Sequence, residues 1–204
     1  MIRVSRSGHY LLVALACFGG FACQLRRPHT IPSRMIEPQV LDSGLSEPPK
    51  QATKALNAAS VRLLDTQARG HIGRRVLHQQ QNGELTQDSV WWWSSAPNRY
   101  LDTALRLEVA SRPDVRLVDG ERAPDLAATL LVWDLESQEG PRFVGVVEFQ
   151  IRGVDGVLDT HVVRASEPVS TELPGDLAVV TGRLLRRFAA EGLTFVASEQ
   201  HRTK

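Results

Sequence analysis

A stretch of strict alternation constrains the fold more than any other part of the chain. From Phe143 to Arg152 the sequence reads FVGVVEFQIR, in which every second residue is apolar or small and the intervening residues become polar. Alternation with a period of two predicts a β-strand with one face on a core. Asp155 and Gly156 follow, a pair that favours a tight hairpin turn, and Val157 to Arg164 forms the returning strand. The chain is therefore expected to fold around a long antiparallel hairpin.

Further strands are predicted on the N-terminal side of this hairpin. Asn82 and Gly83 tolerate the positive φ of a turn, so Arg74 to Gln79 and Glu84 to Trp93 are expected to pair. The segment from Asp125 to Glu136 is almost continuously apolar, which is typical of a strand covered on both faces. Two shorter strands are expected at Ser60 to Gln67 and at Val115 to Val118.

Two helices are predicted. Pro97 favours a helix start because its missing N–H falls in the first turn, with Ser94 or Ser95 as the cap, and apolar residues recur at helical spacing to about Ser111. A second helix is marked by an apolar side that runs from Leu177 to Phe195. The expected fold class is α/β, of the α+β type: a single domain in which a mixed β-sheet carries two main helices packed on it.

The first 23 residues have the pattern of a bacterial export signal that ends in a lipid-attachment cysteine. Arg3 and Arg6 form a positive region, Leu11 to Ala22 an apolar region, and Cys23 follows. The apolar run is too short to cross a bilayer, which needs about 20 residues. Residues 1–22 are therefore predicted to be a lipoprotein signal peptide. Two alternatives stay open: a plain secretory signal, and a cytoplasmic protein with an apolar N-terminal helix.

Cys23 is the predicted site of lipid attachment, and Cys17 is the alternative. Gly20 stands three residues before Cys23, where an aliphatic residue is preferred. Cys17 has more acceptable alanines before it but an apolar run of only six residues, so length favours Cys23. The residue directly after Cys23 is Gln24 and not Asp, which favours sorting to the outer membrane of a Gram-negative cell.

Proline is concentrated directly after this signal. Five of the 11 prolines lie in residues 24–50, and proline fixes extended geometry and removes backbone donors. Residues 23–57 are therefore predicted to be a lipid-anchored tether, with a first short strand near residues 34–41. The alternative is a loop wrapped on the domain. Residues 58–198 are assigned to the α/β domain and residues 199–204 to a polar tail.

The charge balance argues against a nucleic-acid binder. Removal of Arg3 and Arg6 with the signal leaves 22 of the 24 basic residues against 23 acidic ones. A nucleic-acid-binding protein is expected to carry a clustered basic face, which a net charge near zero does not indicate.

No catalytic or metal site is predicted. The six histidines are scattered, and none has the spacing that presents zinc ligands on one face. The chain has no Gly-x-Ser-x-Gly elbow and no glycine-rich phosphate loop. Asp134 and Glu136 share one face of a strand, but a solvated strand end is expected there, because catalytic carboxylate pairs must be buried to shift their pKa values. No cofactor is expected beyond a covalent lipid on the N-terminal cysteine.

Two groups of residues are candidates for partner contact. Trp91, Trp92 and Trp93 are consecutive, so Trp91 and Trp93 share one side of their strand and Trp92 takes the other. Indoles on the outer side would contact a partner or lipid headgroups, and the alternative is that they belong to the core. The second group forms a basic face on the terminal helix, which serves solubility or docks to an acidic surface: Arg183, Arg186 and Arg187.

The order of these pieces resembles the ABC-type transport auxiliary lipoproteins, the PqiC-like family. The resemblance covers Arg34 to Ala197 and lacks the family's common Tyr-Arg pair at Leu77-His78 and its tyrosine pair at Val90-Trp91. The shared pieces are the cysteine, Arg34 to Glu37, the Arg-Val-Leu-His strand at Arg75 to His78, Glu84-Leu85 with aromatics after it, Trp93 with Pro97, Asp114-Val115, Ala127 to Leu135, the Asp155-Gly156 hairpin and a final amphipathic helix.

The resemblance implies a periplasm-facing lipoprotein of the bacterial cell envelope, anchored through its cysteine; Gln24 makes the outer membrane its expected location. It also implies a non-enzymatic role as an auxiliary component that works with an ABC transporter and an Mce-type substrate-binding protein. Such systems move lipids or other apolar compounds between the membranes. The alternative function is a structural or assembly lipoprotein without a transport role, and a secreted hydrolase ranks last.

Overall fold

The structure is a computed structural model that describes residues 33–40, 58–119, 123–138, 140–153, 156–170 and 174–202. This part of the chain forms nine strands and two helices. The strands are β1 Arg34–Ile36, β2 Ala59–Leu63, β3 Gln67–Ala68, β4 Arg75–Gln79, β5 Leu85–Trp93, β6 Val115–Leu117, β7 Asp125–Glu136, β8 Arg142–Gly153 and β9 Gly156–Pro168. The helices are α1 Pro97–Ser111 and α2 Pro174–Arg202.

The sheet is built around β7. One edge of β7 pairs antiparallel with β8, which in turn pairs antiparallel with β9. The other edge pairs parallel with β2, β3 and β4 in succession, at Asp125, Thr129 and Leu135. β5 and β1 continue the sheet beyond β4, and β6 continues it beyond β2. The sheet is therefore mixed, and β1 and β9 are the two ends of the row β1-β5-β4-β7-β8-β9.

Both hairpins inferred from turn signals are present. β8 and β9 pair from Arg142 with Pro168 to Gly153 with Gly156, and Gly156 has a φ of 117°. β4 and β5 pair across a turn in which Gly83 has a φ of 81°. Glycine adopts this left-handed region without the steric penalty of a Cβ atom. Asp155 lies outside the described residues.

The two helices contact each other and pack on one face of the sheet, which confirms the predicted fold class. Leu105 of α1 and Phe188 of α2 are fully buried in the shared core. Two glycines allow α2 to lie close to β8. A Cβ atom at Gly145 would lie 2.7 Å from the ring of Phe188, and one at Gly192 would lie 2.6 Å from the ring of Phe149.

β7 is less evenly covered than its apolar sequence suggested. Buried Leu126, Ala128 and Leu130 alternate with half-buried neighbours, so the first part of the strand is covered mainly on the helix face. Only the segment Trp133 to Leu135 is buried at consecutive positions, and therefore on both faces. The apolar run thus reflects two-sided burial only near the C-terminal end of β7.

The ends of the helices differ from the sequence expectations. The N-cap of α1 is Ala96, with no side-chain cap. Ser94 instead hydrogen-bonds through its hydroxyl to Tyr100, and the Ser95 N–H donates to the Tyr100 oxygen at 2.6 Å. α2 continues to Arg202, so most of the segment assigned to a polar tail extends the helix.

Residues 33–40, here called the lead segment, contain the first short strand expected near residues 34–41, and they pack on the domain instead of forming part of a free tether. β1 adds a parallel strand to β5, and Ile36 is 1% exposed. Beyond β1, the Gln39 N–H donates to the Ala178 carbonyl of α2 at 2.9 Å. The contact is close because Gly182 faces the Gln39 carbonyl, where a Cβ atom would lie 2.2 Å from the oxygen. The domain therefore begins well before residue 58, and the lead segment joins the sheet to α2.

Candidate docking surface

The structure separates the three tryptophans of β5. Trp93 is 1% exposed and lies in an aromatic cluster, with ring centroids 6.1 Å from Trp133 and 5.8 Å from Phe143. It is a core residue and is not available to a partner. Trp91 and Trp92 are half-buried, so only these two of the three candidate residues reach the surface.

Each of the two accessible tryptophans carries an arginine over its ring. The guanidinium carbon of Arg34 lies 5.4 Å from the Trp91 ring centroid, and that of Arg75 lies 4.4 Å from the Trp92 ring centroid. The strand register explains both contacts, because Arg34 pairs with Trp91 across β1 and β5, and Arg75 pairs with Trp92 across β4 and β5. Met35 pairs with Trp92 and is 65% exposed. We call these five residues the Arg–Trp edge.

Asp88 fixes the backbone that leads into this edge. Its carboxylate accepts the N–H groups of Val90 at 2.7 Å and Trp91 at 2.9 Å, and it hydrogen-bonds Nε2 of His78 at 2.8 Å. Burial acts to raise the pKa of Asp88, but the hydrogen bonds from Trp91, Val90 and His78 outweigh it, and the pKa lies below its ordinary value. Asp88 is therefore held as a carboxylate that orders the end of β5.

The basic face of α2 is engaged within the domain. Arg183 contacts Glu167 at 3.2 Å, and Arg187 contacts Glu191 at 2.9 Å. Arg186 donates to the carbonyl oxygens of Gln39 at 3.0 Å and Val40 at 3.3 Å. These three arginines thus make internal contacts, and Arg186 helps to hold the lead segment. Exposed ion pairs of this kind contribute at most about 1 kcal/mol each.

Asp134 does not lie at a solvated strand end, as the sequence had suggested. It is 4% exposed, and its Oδ1 atom is buried without a hydrogen-bond partner. Burial, followed by the charge of Glu136, raises the pKa of Asp134 to about 6, against the opposing effect of Arg164. Glu136 itself contacts Arg164 at 3.2 Å. The burial of Asp134 arises where strands from distant parts of the sequence meet, which no local pattern reveals.

Two open grooves were not indicated by the sequence. One, of about 480 Å³, lies between β9 and the C-terminal half of α2, where the rings of His161 and Phe195 stack with centroids 5.2 Å apart. The other, of about 670 Å³, lies between the lead segment and α1, beside Tyr100. Burial, opposed by the hydrogen bonds from Ser94 and Ser95, raises the pKa of Tyr100 above its ordinary value. Among the described residues, no three His, Cys, Asp or Glu side chains are placed to hold a metal ion.

Both candidate lipid-attachment residues, Cys23 and Cys17, lie outside the described part of the chain, as do residues 1–32 as a whole. Within the described part, neither helix has the length and apolar character needed to cross a membrane.

No protein-family model and no curated protein sequence matches the chain. Solved structures do share its fold. Protein XCC0632 from Xanthomonas campestris, described under the family model DUF330, superimposes with a TM-score of 0.62 at 16% identity, over 76% of this chain and 98% of that one. The chain has the fold of XCC0632.

Two further structures are more distant. A protein described as uncharacterized has a TM-score of 0.55 at 12% identity, over 74% of this chain and 95% of its own. A minor lipoprotein from Acinetobacter baumannii has a TM-score of 0.41 at 11% identity, over 70% of this chain and 94% of its own. The likeness to XCC0632 and to the second structure establishes the fold and nothing about function.

Proposed function

We propose that this protein is a lipid-anchored, periplasm-facing protein of the bacterial envelope that serves as an auxiliary component of an ABC and Mce-type transport system for lipids or other apolar compounds. It acts by docking rather than by catalysis. The observation that carries the proposal is the agreement between fold and sequence resemblance. The PqiC-like resemblance rests on an order of strands and helices, and the structure has the same order. The fold of XCC0632 covers 76% of the chain.

β9 offers the surface on which docking is proposed. It is 13 residues long and pairs with β8 along one edge only, within the part of the chain that the structure describes. An open strand edge presents backbone N–H and C=O groups that a strand of a partner can pair with. Val162, near the middle of β9, is 54% exposed and supplies an apolar contact beside that edge.

Affinity purification from envelope membranes tests the proposal. The tagged full-length protein, cross-linked in cells, is expected to recover an Mce-type protein or an ABC transporter subunit. A Val162→Glu variant is expected to lose this recovery, because the new charge lies on the proposed contact. Val179→Glu is the matched control: Val179 is 38% exposed and lies on α2, not on β9.

The same experiment distinguishes the alternative function. Recovery of outer-membrane assembly or cell-wall components, with no transporter subunit, would contradict the transport role and favour a structural or assembly lipoprotein. Equal recovery of transporter subunits by the two valine variants would keep the transport role and reject β9 as its surface.

A further inference from the structure

The Arg–Trp edge lies at the end of the sheet that is nearest in sequence to the proposed anchor. β1 pairs with β5, and the described part of the chain places no strand on its other side. Residues 24–33 separate Cys23 from Arg34, a stretch that spans at most about 40 Å when fully extended. A lipid on Cys23 therefore keeps β1 within about 40 Å of the membrane surface.

The edge presents the same chemistry on both of its sides. Successive strand residues point to opposite faces, so the Arg34–Trp91 stack and the Arg75–Trp92 stack lie on opposite faces of β5. Trp91 is partly buried and also packs against the hydrophobic core. Met35, on the Trp92 side, adds a long apolar side chain that is 65% exposed. With indole and guanidinium groups on both faces of β5 and a thioether on one, this end of the sheet can contact a membrane surface edge-on.

This combination matches the headgroup layer of a phospholipid membrane. Tryptophan rings are enriched at membrane interfaces because they have an apolar body and a polar N–H, and arginines near the surface are attracted to anionic lipids. Two acidic side chains on the same strands or directly after them, Glu37 and Asp88, have hydrogen-bond partners within the domain. Glu37 accepts a hydrogen bond from the Tyr100 hydroxyl at 3.2 Å, and Asp88 is held by His78 and backbone N–H groups. Arg34 is exposed and Arg75 is half-buried, so the edge presents two guanidinium groups near the surface.

We propose that the Arg–Trp edge rests in the anionic headgroups of the leaflet that holds the anchor, an inference that depends on the lipid attachment proposed above. The contact fixes the orientation of the domain as well as its distance from the membrane. β9 is five strand spacings from β1 along the row, or about 24 Å. The proposed docking strand is thereby held away from the membrane and turned toward the periplasm.

Quenching of tryptophan emission by brominated lipids tests this contact. The full-length acylated protein is reconstituted into vesicles of phosphatidylethanolamine and phosphatidylglycerol, with and without bromine on the acyl chains. We expect bromine to lower the emission, with the loss abolished in a Trp91→Phe, Trp92→Phe double variant. The buried Trp93 and Trp133 remain in that variant and report that the domain is folded.

Charge variants keep the test valid if the double variant is unstable. Arg34→Glu alters an exposed residue and is expected to reduce quenching strongly, since each arginine near an anionic surface changes partition about five-fold. Arg106→Glu, on an exposed part of α1, is the control and is expected to quench as the parent does.

Three outcomes would overturn the inference. They are equal emission in brominated and plain vesicles, equal quenching by the two arginine variants, and quenching that requires an added envelope protein, which would assign the edge to a protein partner. The mass of the N-terminal peptide is measured on the same preparation. An unacylated Cys23 is therefore recognised as a failure of the anchor and not of the edge.

Discussion

Replacement of Gly182 by alanine probes the contact that joins the lead segment to α2. The added Cβ atom would lie 2.2 Å from the carbonyl oxygen of Gln39, 2.6 Å from its carbonyl carbon and 3.0 Å from its nitrogen. These are backbone atoms, so no side-chain rotation relieves the overlap. The lead segment must move away from α2 by about 1 Å to restore an ordinary contact distance.

The expected loss of stability follows from the contacts that this movement breaks. Overpacking costs about 1–3 kcal/mol, and loss of the hydrogen bond from Gln39 to Ala178 costs about 1 kcal/mol more. Alanine is a better helix former than glycine and returns about 1 kcal/mol. We therefore expect the Gly182→Ala variant to unfold with a free energy about 1–3 kcal/mol lower than the parent.

Urea unfolding and limited proteolysis measure this effect. The control is Gly175→Ala, also in α2, where a Cβ atom would meet nothing within 4 Å and no loss is expected. Cleavage within residues 33–40 should become faster in Gly182→Ala than in the control. If the two variants are equally stable and equally resistant to cleavage, the lead segment is not held by α2 as described.

Three further changes test other parts of the structure. Asp134→Asn should stabilise the protein at about pH 8 and not at about pH 4. The Asp134 pKa is about 6 in the folded protein and near 3.8 in the unfolded chain, so its ionisation lowers the free energy of unfolding by up to about 3 kcal/mol as pH rises through that range. Urea unfolding at both pH values measures this, and an equal effect of the substitution at both would show that Asp134 is not buried. Asp88→Ala should lower the free energy of unfolding by about 1–3 kcal/mol near neutral pH, because two backbone N–H groups of β5 lose their acceptor. Thermal unfolding, compared at the parent's midpoint, measures this loss, and its absence would show that water replaces the carboxylate at this site. Gly192→Ala should lower stability by about 1–3 kcal/mol by forcing Phe149 out of its position, and a gain instead would show that the ring moves freely.

Local sequence patterns were sufficient for most of the framework. The alternation from Phe143, the turn residues and Pro97 specify the hairpins and α1, because each depends on a few neighbouring residues. The mixed sheet and the two packed helices follow from their order along the chain. The sequence marks all three tryptophans, Trp91 to Trp93, as candidates for partner contact, with burial in the core as the alternative.

Contacts between residues far apart in the sequence determine the side-chain environments that local patterns did not predict. Trp93 is a core residue because Trp133 and Phe143 lie against it, although they are far from it in the sequence. Arg186 looked like part of an exposed basic face, but its partners belong to the lead segment, which no helical spacing could indicate. Asp134 was expected to be solvated at a strand end, and this prediction is wrong because the neighbouring strands bury it.

We propose that this domain works while held to the envelope membrane by a lipid on Cys23. The most direct test is the mass of the N-terminal peptide of the protein purified from envelope membranes, together with its Cys23→Ser and Cys17→Ser variants. We expect a peptide that begins at an acylated Cys23, with the lipid lost in Cys23→Ser and kept in Cys17→Ser. An unmodified N-terminal peptide, or a Cys23→Ser protein that is still acylated, would contradict it.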